Sequence, residues 1–250
     1  MKNAIVIGGE KGGTGKTTTS INLAIMEAIA GKEVVLIDAD KQRSSAKFFD
    51  RRNGQNILPQ ISCVNILGKN LHSEIDRLAS KFDSVIIDVG GRDSVELRSS
   101  LIAKSVSHWY SPIQPTDLDM DTLETLNELT SISLTYNPNL ITKIILNGCS
   151  THVKIKTKDE AKEIIDQSFE YLGVCNTSLG HRVAYQYSIS NCKSVVEFEA
   201  DEFSKLAPYR AKSYPHKASN EIIALYNEIM DNTFQPLIPE VNNQENIEVA

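Results

Sequence analysis

A glycine-rich run near the start of the chain has the residue types and the spacing that bind phosphate groups. Glycines let backbone N–H groups converge on phosphate oxygens, a lysine at position 16 reaches β- and γ-phosphates, and a hydroxyl at position 17 binds Mg²⁺. We therefore predict a nucleotide site at this run. Its residues are Lys11, Gly12, Gly13, Thr14, Gly15, Lys16, Thr17 and Thr18.

Carboxylates provide the second part of this chemistry. Asp38 and Asp40 follow a predicted buried strand at residues 33–37, and Asp88 ends another strand at 84–88. An acid after a largely apolar strand is typical of a Walker B aspartate, which holds Mg²⁺ through water. The pair at 38 and 40 is also compatible with a turn that caps the next helix, so both interpretations stay open.

The elements around the phosphate-binding run must place it beside these carboxylates. Residues 3–8 predict a short buried strand, and residues 18–30 carry apolar side chains at helical spacing. The run therefore precedes a helix N-terminus, whose partial positive charge favours anions. In open parallel sheets the functional groups gather at the carboxyl ends of the strands.

Strands and helices alternate along the rest of the chain. This pattern predicts an α/β fold with a mostly parallel twisted sheet and helices on both faces. We expect a single domain at residues 1–234 and an acidic, disordered tail at 235–250. Further strands are predicted at 61–67, 106–112, 140–147 and 173–177, and helices at 44–52, 71–81, 94–104, 118–134, 158–171 and 218–231, with helical pieces up to 207.

The chain has 250 residues and a net charge of −6, and its acidity is unevenly placed. Residues 218–250 contain six acidic side chains and no basic one, whereas residues 203–217 contain four basic side chains and no acidic one. A local basic patch is compatible with this distribution. The four cysteines form no CxxC pair, the five histidines are scattered, and no apolar run reaches the roughly 18 residues of a membrane helix. We expect free thiols, no metal cluster and a cytoplasmic protein.

The phosphate-binding run resembles the deviant Walker A motif of the ParA/MinD family of P-loop ATPases. It has a lysine at both 11 and 16, and Glu10 replaces the first glycine of the strict pattern. The resemblance implies an ATPase that uses ATP and Mg²⁺ and forms a homodimer in the ATP state. In that dimer Lys11 crosses the interface to the partner's nucleotide, where it stabilises charge on the transferring phosphoryl group together with Lys16.

The run at 38–42 resembles the family motif D-x-D-P-Q, with Lys41 in place of the proline. This resemblance implies that Asp40 orients or activates the attacking water, and that Asp38 supports the Mg²⁺ shell or the loop. The implied catalytic residues are Lys11, Lys16 and Asp40, and the implied metal site consists of Thr17, Asp38 and Asp88.

Other positions extend the resemblance. Asn147 resembles the residue that hydrogen-bonds the adenine ring, although an asparagine before glycine is also an ordinary turn. Residues 89–93 take the place of the switch loop that senses the γ-phosphate, and Gly90 and Gly91 stand where family members often have prolines. Residues 112–118 resemble the proline-rich strand exit near the dimer interface, which is also compatible with a rigid loop that caps the next helix.

Within the family, the resemblance favours a small partition ATPase without an N-terminal helix-turn-helix domain. The implied partners are non-specific double-stranded DNA and a ParB-like adaptor that stimulates slow hydrolysis, with nucleoid association and no membrane. Basic side chains of the C-terminal part would contact phosphates in a salt-sensitive manner, and an ordinary solvated surface is the alternative for each of them. These candidates are Arg182, Lys193, Lys205, Arg210, Lys212 and Lys217.

Two alternatives stay open. A ParA-like ATPase that positions a protein assembly would use the same switch, and a MinD-like division-site regulator would bind membrane. The MinD-like alternative is weaker, because the tail is acidic and polar where a basic amphipathic helix is expected. An iron–sulfur reductase is not expected, because Cys63 and Cys149 lack the glycine-rich spacing of those relatives.

Overall fold

The computed structural model describes residues 4–91, 94–115, 121–150, 157–207, 216–230 and 232–237. These residues contain a seven-stranded sheet in the order β3-β2-β4-β1-β5-β6-β7, in which every strand pair is parallel. The strands are β1 Ala4–Gly9, β2 Val34–Ala39, β3 Ser62–Asn65, β4 Ser84–Gly91, β5 Val106–Ile113, β6 Ile141–Leu146 and β7 Gly173–Val174.

Helices cover both faces of this sheet. The described ones are α1 Lys16–Ile29, α2 Ser44–Gly54, α3 Leu71–Ala79, α4 Val95–Leu101, α5 Leu123–Leu134, α6 Thr157–Ser168, α7 Val183–Ser190, α8 Val195–Ser204 and α9 Lys217–Met230. The predicted α/β fold with a parallel sheet is confirmed. The strand predicted at 173–177 is shorter than expected, since only two of its residues pair with β6 at the edge of the sheet.

The core has two layers because alternate residues of the central strands point to opposite faces. On one face, Val6 and Ile87 pack with side chains of α3 to α6, and on the other face Ile7 and Ile86 pack with side chains of α1, α2, α8 and α9. Burial on both faces explains why β1 and β4 read as nearly continuous apolar runs. The central strands are therefore firmly held where they end at the site.

The register of the sheet brings the carboxyl ends of three strands together. Asp88 on β4 pairs with Asp38 on β2 and with Ile7 on β1. Because β1 leads directly into the glycine-rich run, the acids of β2 and β4 lie at the same edge of the sheet as that run. This neighbourhood depends on the order β2-β4-β1, which the sequence alone does not predict.

The C-terminal helix packs on the body of the protein, as its apolar face predicts. Ile222, Leu225 and Tyr226 of α9 are fully buried, and the Tyr226 hydroxyl donates a hydrogen bond of 2.5 Å to Glu27 of α1. Of the predicted helix at 118–134, residues 118–120 lie outside the described residues, and so do residues 238–250 of the predicted tail.

Candidate active site

The glycine-rich run forms an open loop between β1 and α1. Gly13 and Gly15 have φ angles of 81° and 96°, in the region that favours glycine. A Cβ atom at Gly12 or Gly13 would meet nothing within 4 Å, so backbone is accessible there. The hydroxyl of Thr14 is buried and has no hydrogen-bond partner within the described part of the chain. Open backbone and an unsatisfied hydroxyl fit a polyanion in this loop.

Lys16 begins α1 and lies along the loop. Its side chain is 7% exposed, and its ammonium group donates a hydrogen bond to the carbonyl oxygen of Lys11. The predicted site lysine therefore already points along the phosphate-binding backbone. Lys11 itself is half-buried.

Asp88 lies below the loop and accepts hydrogen bonds from several hydroxyl groups. Thr17 Oγ1 donates to Asp88 Oδ2 at 2.9 Å, Ser45 Oγ donates to the same oxygen at 2.5 Å, and Ser20 Oγ lies 3.4 Å from Asp88 Oδ1. Burial raises the pKa of Asp88 to about 6, while the hydrogen bonds from Ser45 and Thr17 act in the opposite direction. A carboxylate beside a threonine hydroxyl is a hard oxygen donor set, which fits Mg²⁺ held partly through water.

Asp38 holds the turn that follows β2. Its Oδ1 accepts the backbone N–H of Asp40 at 3.0 Å, and its Oδ2 accepts the backbone N–H of Ala46 at 2.8 Å. Burial raises the pKa of Asp38, and these two amide hydrogen bonds oppose the rise. Both oxygens of Asp38 therefore hold the turn, and its support of a Mg²⁺ shell stays a prediction.

Asp40 lies just beyond β2 and is half-buried. Its Oδ1 accepts the backbone N–H of Gln42 at 2.8 Å, and its carboxylate packs against Gly90 at the end of β4. The structure thus brings Asp40, Asp88 and the phosphate-binding loop together. A carboxylate placed there can orient a water molecule for attack on a bound phosphate.

A cavity continues from the loop toward the C-terminal half of the chain. Asn147, directly after β6, donates a hydrogen bond of 2.6 Å from Nδ2 to the carbonyl oxygen of Thr14 and lies against Gly15. Asn147 therefore contacts the loop itself as well as the cavity. The cavity is also lined by Thr18, Gln114, Leu179, Arg182, Tyr185 and Ile222.

The basic residues that were predicted to bind DNA have mixed surroundings. Arg182 lines the cavity and forms an ion pair of 2.6 Å with Glu221. Lys193 forms an ion pair with Asp201, and Lys205 forms one of 2.7 Å with Glu202. Lys217 is exposed at the start of α9, whereas Arg210 and Lys212 lie outside the described residues.

Comparison with protein families identifies the domain. The model described as "CobQ/CobB/MinD/ParA nucleotide binding domain" matches residues 5–196. The chain belongs to this family. The match contains the loop, all three acids and Asn147, so the predicted family is confirmed and the site is that of a nucleotide-binding domain.

The chain is similar to individual members of the family either over a short segment of sequence or in its fold. The septum site-determining protein MinD of Bacillus subtilis is 60% identical over 40 residues. This segment covers 16% of this chain and 15% of that protein. The MinD of Pyrococcus horikoshii in complex with Mg-ADP has a TM-score of 0.63 and 16% identity, with 92% of this chain and 96% of that chain covered. A plasmid partition protein of Borrelia burgdorferi has a TM-score of 0.54 and 18% identity over 80% of this chain and 98% of that chain. At these identities the two structures share the fold.

Several contacts of the site cannot be predicted from the sequence. Ser45 and Ser20 bond Asp88 from α2 and α1, and no local motif marks them, since they lie 43 and 68 positions away along the chain. Gly90 and Gly91 are visible in the sequence, but their close contacts are not. No helix within the described ranges is long and apolar enough to span a bilayer.

Proposed function

We propose that this member of the family is an ATPase that binds ATP with Mg²⁺, dimerises in that state and hydrolyses ATP slowly. The observation that carries the proposal is the contact between Thr17 and Asp88, which places a hydroxyl and a buried carboxylate at the foot of an open phosphate-binding loop. The Mg-ADP complex of the structurally similar MinD supports this choice of nucleotide and metal.

Each side chain of the site has a separate task in this reaction. Bound ATP and Mg²⁺ supply the phosphoryl group and the divalent charge that transfer requires. Thr17 and Asp88 provide oxygen ligands or hydrogen bonds to metal-bound water, and Lys16 binds the β- and γ-phosphates. Asp40 orients the attacking water, and Asn147 contacts the nucleoside where the loop meets the cavity. Phosphoryl transfer needs mainly such positioning and charge stabilisation.

Dimerisation completes the proposed site. Lys11 lies in the loop and is half-buried, and in a dimer its ammonium group would reach the phosphates bound by the other subunit. A charge that arrives only on dimerisation makes hydrolysis depend on assembly. The protein would therefore act as a timed switch, with dimers persisting until a partner protein stimulates hydrolysis.

The proposed use of this switch is DNA partition. The ATP-bound dimer would bind non-specific DNA of the nucleoid, and a ParB-like adaptor on the cargo would stimulate hydrolysis and release. The fold shared with a plasmid partition protein supports this proposal. Lys217 is exposed at the start of α9, and Arg210 and Lys212 belong to the same stretch of sequence.

A second candidate function is favoured by the ion pairs of the basic residues. Arg182, Lys193 and Lys205 each contact a carboxylate, which reduces the local positive potential available for phosphates. The same ATP-dependent switch would then position a protein assembly rather than DNA. Both candidates share the site chemistry and differ only in the surface that the dimer presents.

Binding to non-specific double-stranded DNA with ATP, with ADP and without nucleotide, at low and moderate salt, distinguishes the two candidates. We expect binding only with ATP and a steep loss of affinity with salt. Lys16→Ala should abolish the ATP effect, while the matched change Lys32→Ala, at an exposed lysine beyond α1, should leave it intact. ATP hydrolysis without ATP-dependent DNA binding would contradict the partition function and favour the protein-positioning alternative.

A further inference from the structure

Strand β4 continues beyond Asp88 to two glycines that lie against the site. Gly91 pairs with Gly9 at the end of β1, so the strand is still part of the sheet at this point. Neither Gly90 nor Gly91 has a φ angle in the left-handed region. Any need for glycine at these positions must therefore come from close contacts rather than from backbone torsion.

Gly90 is in close contact with the side chain of Asp40. A Cβ atom at position 90 would lie 2.7 Å from Asp40 Oδ2 and 2.8 Å from Asp40 Cγ. Asp40 Oδ1 accepts the backbone N–H of Gln42. The Asp40 carboxylate is thus held between β4 and its own turn. Because this contact involves the end of a rotatable side chain, a methyl group at 90 would displace the carboxylate rather than the backbone.

Gly91 is in close contact with the phosphate-binding loop. A Cβ atom at position 91 would lie 2.9 Å from both Gly12 N and the carbonyl carbon of Lys11. These are backbone atoms, which cannot rotate away. The carbonyl oxygen of Lys11 also accepts the hydrogen bond from Lys16. Gly91 therefore supports the peptide that the site lysine contacts.

We propose that Gly90 and Gly91 are positioning residues, which set the Asp40 carboxylate and the peptide between Lys11 and Gly12 relative to Asp88. This inference rests on the proposed ATPase function and adds to it. One strand then determines where the metal-binding carboxylate, the water-orienting carboxylate and the phosphate-binding backbone lie.

Steady-state ATP hydrolysis and direct ATP binding by Gly90→Ala and Gly91→Ala test the proposal. Gly90→Ala should lower kcat by about ten- to a hundredfold with little change in KM, because a small misplacement of a catalytic group carries a cost of this size. Gly91→Ala should weaken ATP binding by about tenfold or more, because the loop backbone must move. Wild-type kcat in Gly90→Ala, or a loss confined to KM, would overturn the inference.

The control is Gly54→Ala at the end of α2, where a Cβ would meet nothing within 4 Å and φ is not left-handed. Its kinetics should match those of the wild type. A loss as large as that in Gly90→Ala would attribute the effect to glycine replacement in general and contradict the proposal.

A double-mutant cycle tests the contact without relying on activity. Asp40→Ala removes the carboxylate that a methyl group at position 90 would strike. The midpoint of urea unfolding should fall in Gly90→Ala relative to the wild type, and this fall should disappear when Gly90→Ala is added to Asp40→Ala. Equal shifts in both backgrounds would refute the contact. If the wild-type protein did not hydrolyse ATP, the proposed function would fail while this cycle still reported on the contact.

Discussion

The hydroxyl of Thr17 donates a hydrogen bond of 2.9 Å to Asp88 Oδ2, although the two residues are separated by 71 positions in the sequence. The contact forms because β4 lies next to β1, and β1 leads through the loop to Thr17 at the start of α1. Two motifs that are separate in the sequence thereby become one candidate metal site.

Thr17→Ala should selectively weaken the binding of ATP in the presence of Mg²⁺. The variant loses the hydroxyl beside Asp88, so we expect about tenfold weaker binding with Mg²⁺ and little change when the metal is chelated. Titration of a fluorescent ATP analogue with Mg²⁺ and with EDTA measures both affinities. Thr17→Ser keeps the hydroxyl and serves as the control. An equal loss under both conditions would contradict a metal-related role.

Asp88→Asn should stabilise the protein in the absence of nucleotide and metal, in a pH-dependent manner. Burial raises the pKa of Asp88 from its ordinary 3.8 to about 6, so folding favours the protonated acid. The raised pKa of Asp88 therefore adds to the free energy of unfolding below pH 4, and this contribution is lost as the pH rises through about 6. The asparagine side chain of the variant is neutral at every pH. The variant therefore avoids the loss of stability that ionisation of Asp88 causes in the wild type, which amounts to at most about 3 kcal/mol.

Urea unfolding of the wild type and of Asp88→Asn at pH 5 and pH 8 measures this difference. The stabilisation by the asparagine should be larger at pH 8 than at pH 5, while Mg²⁺-dependent ATP binding is lost. A stability difference that is independent of pH would show that ionisation of Asp88 has no part in it.

Arg52→Met should destabilise the fold by about 3–5 kcal/mol, because it breaks a buried ion pair. The Arg52 side chain is 0% exposed, forms a bidentate ion pair with Glu197 of α8, and donates to three backbone carbonyl groups. Arg77→Met is the matched control, because its ion pair with Glu74 is exposed and should contribute about 1 kcal/mol or less. Chemical unfolding of both variants compares their free energies of unfolding. Similar losses of stability would contradict a stabilising role for the buried ion pair of Arg52.

Asn147→Ala should weaken ATP binding by about tenfold and reduce the preference for ATP over GTP. The side chain holds the Thr14 carbonyl and lies in the cavity beside the loop. Competition between the two nucleotides for a labelled ATP analogue measures the preference. Asn191→Ala, at the end of α7, should leave it unchanged. Weaker binding of ATP with an unchanged preference for ATP over GTP would show that Asn147 acts only through its contact with the loop.

The local parts of this site are predictable from sequence, whereas contacts between distant segments are not. The strand, loop and helix around Lys16 and the acid at Asp88 follow from apolar runs and glycine spacing. The order of the strands does not, because parallel neighbours are joined by long connections. The contact of the Ser45 hydroxyl with Asp88 depends on that order. The ion pair between Arg182 and Glu221 depends on the packing of two helices that lie apart in the sequence. Gly90 and Gly91 suggest flexibility in the sequence, but in the structure they permit close packing.

The most direct test of the account is single-turnover hydrolysis of bound ATP by the wild type and by Asp40→Ala. We expect both proteins to bind Mg²⁺ and ATP with similar affinity, and only the wild type to release phosphate. An Asp40→Ala variant that hydrolyses ATP at the wild-type rate would remove Asp40 from its proposed role and contradict the proposed mechanism.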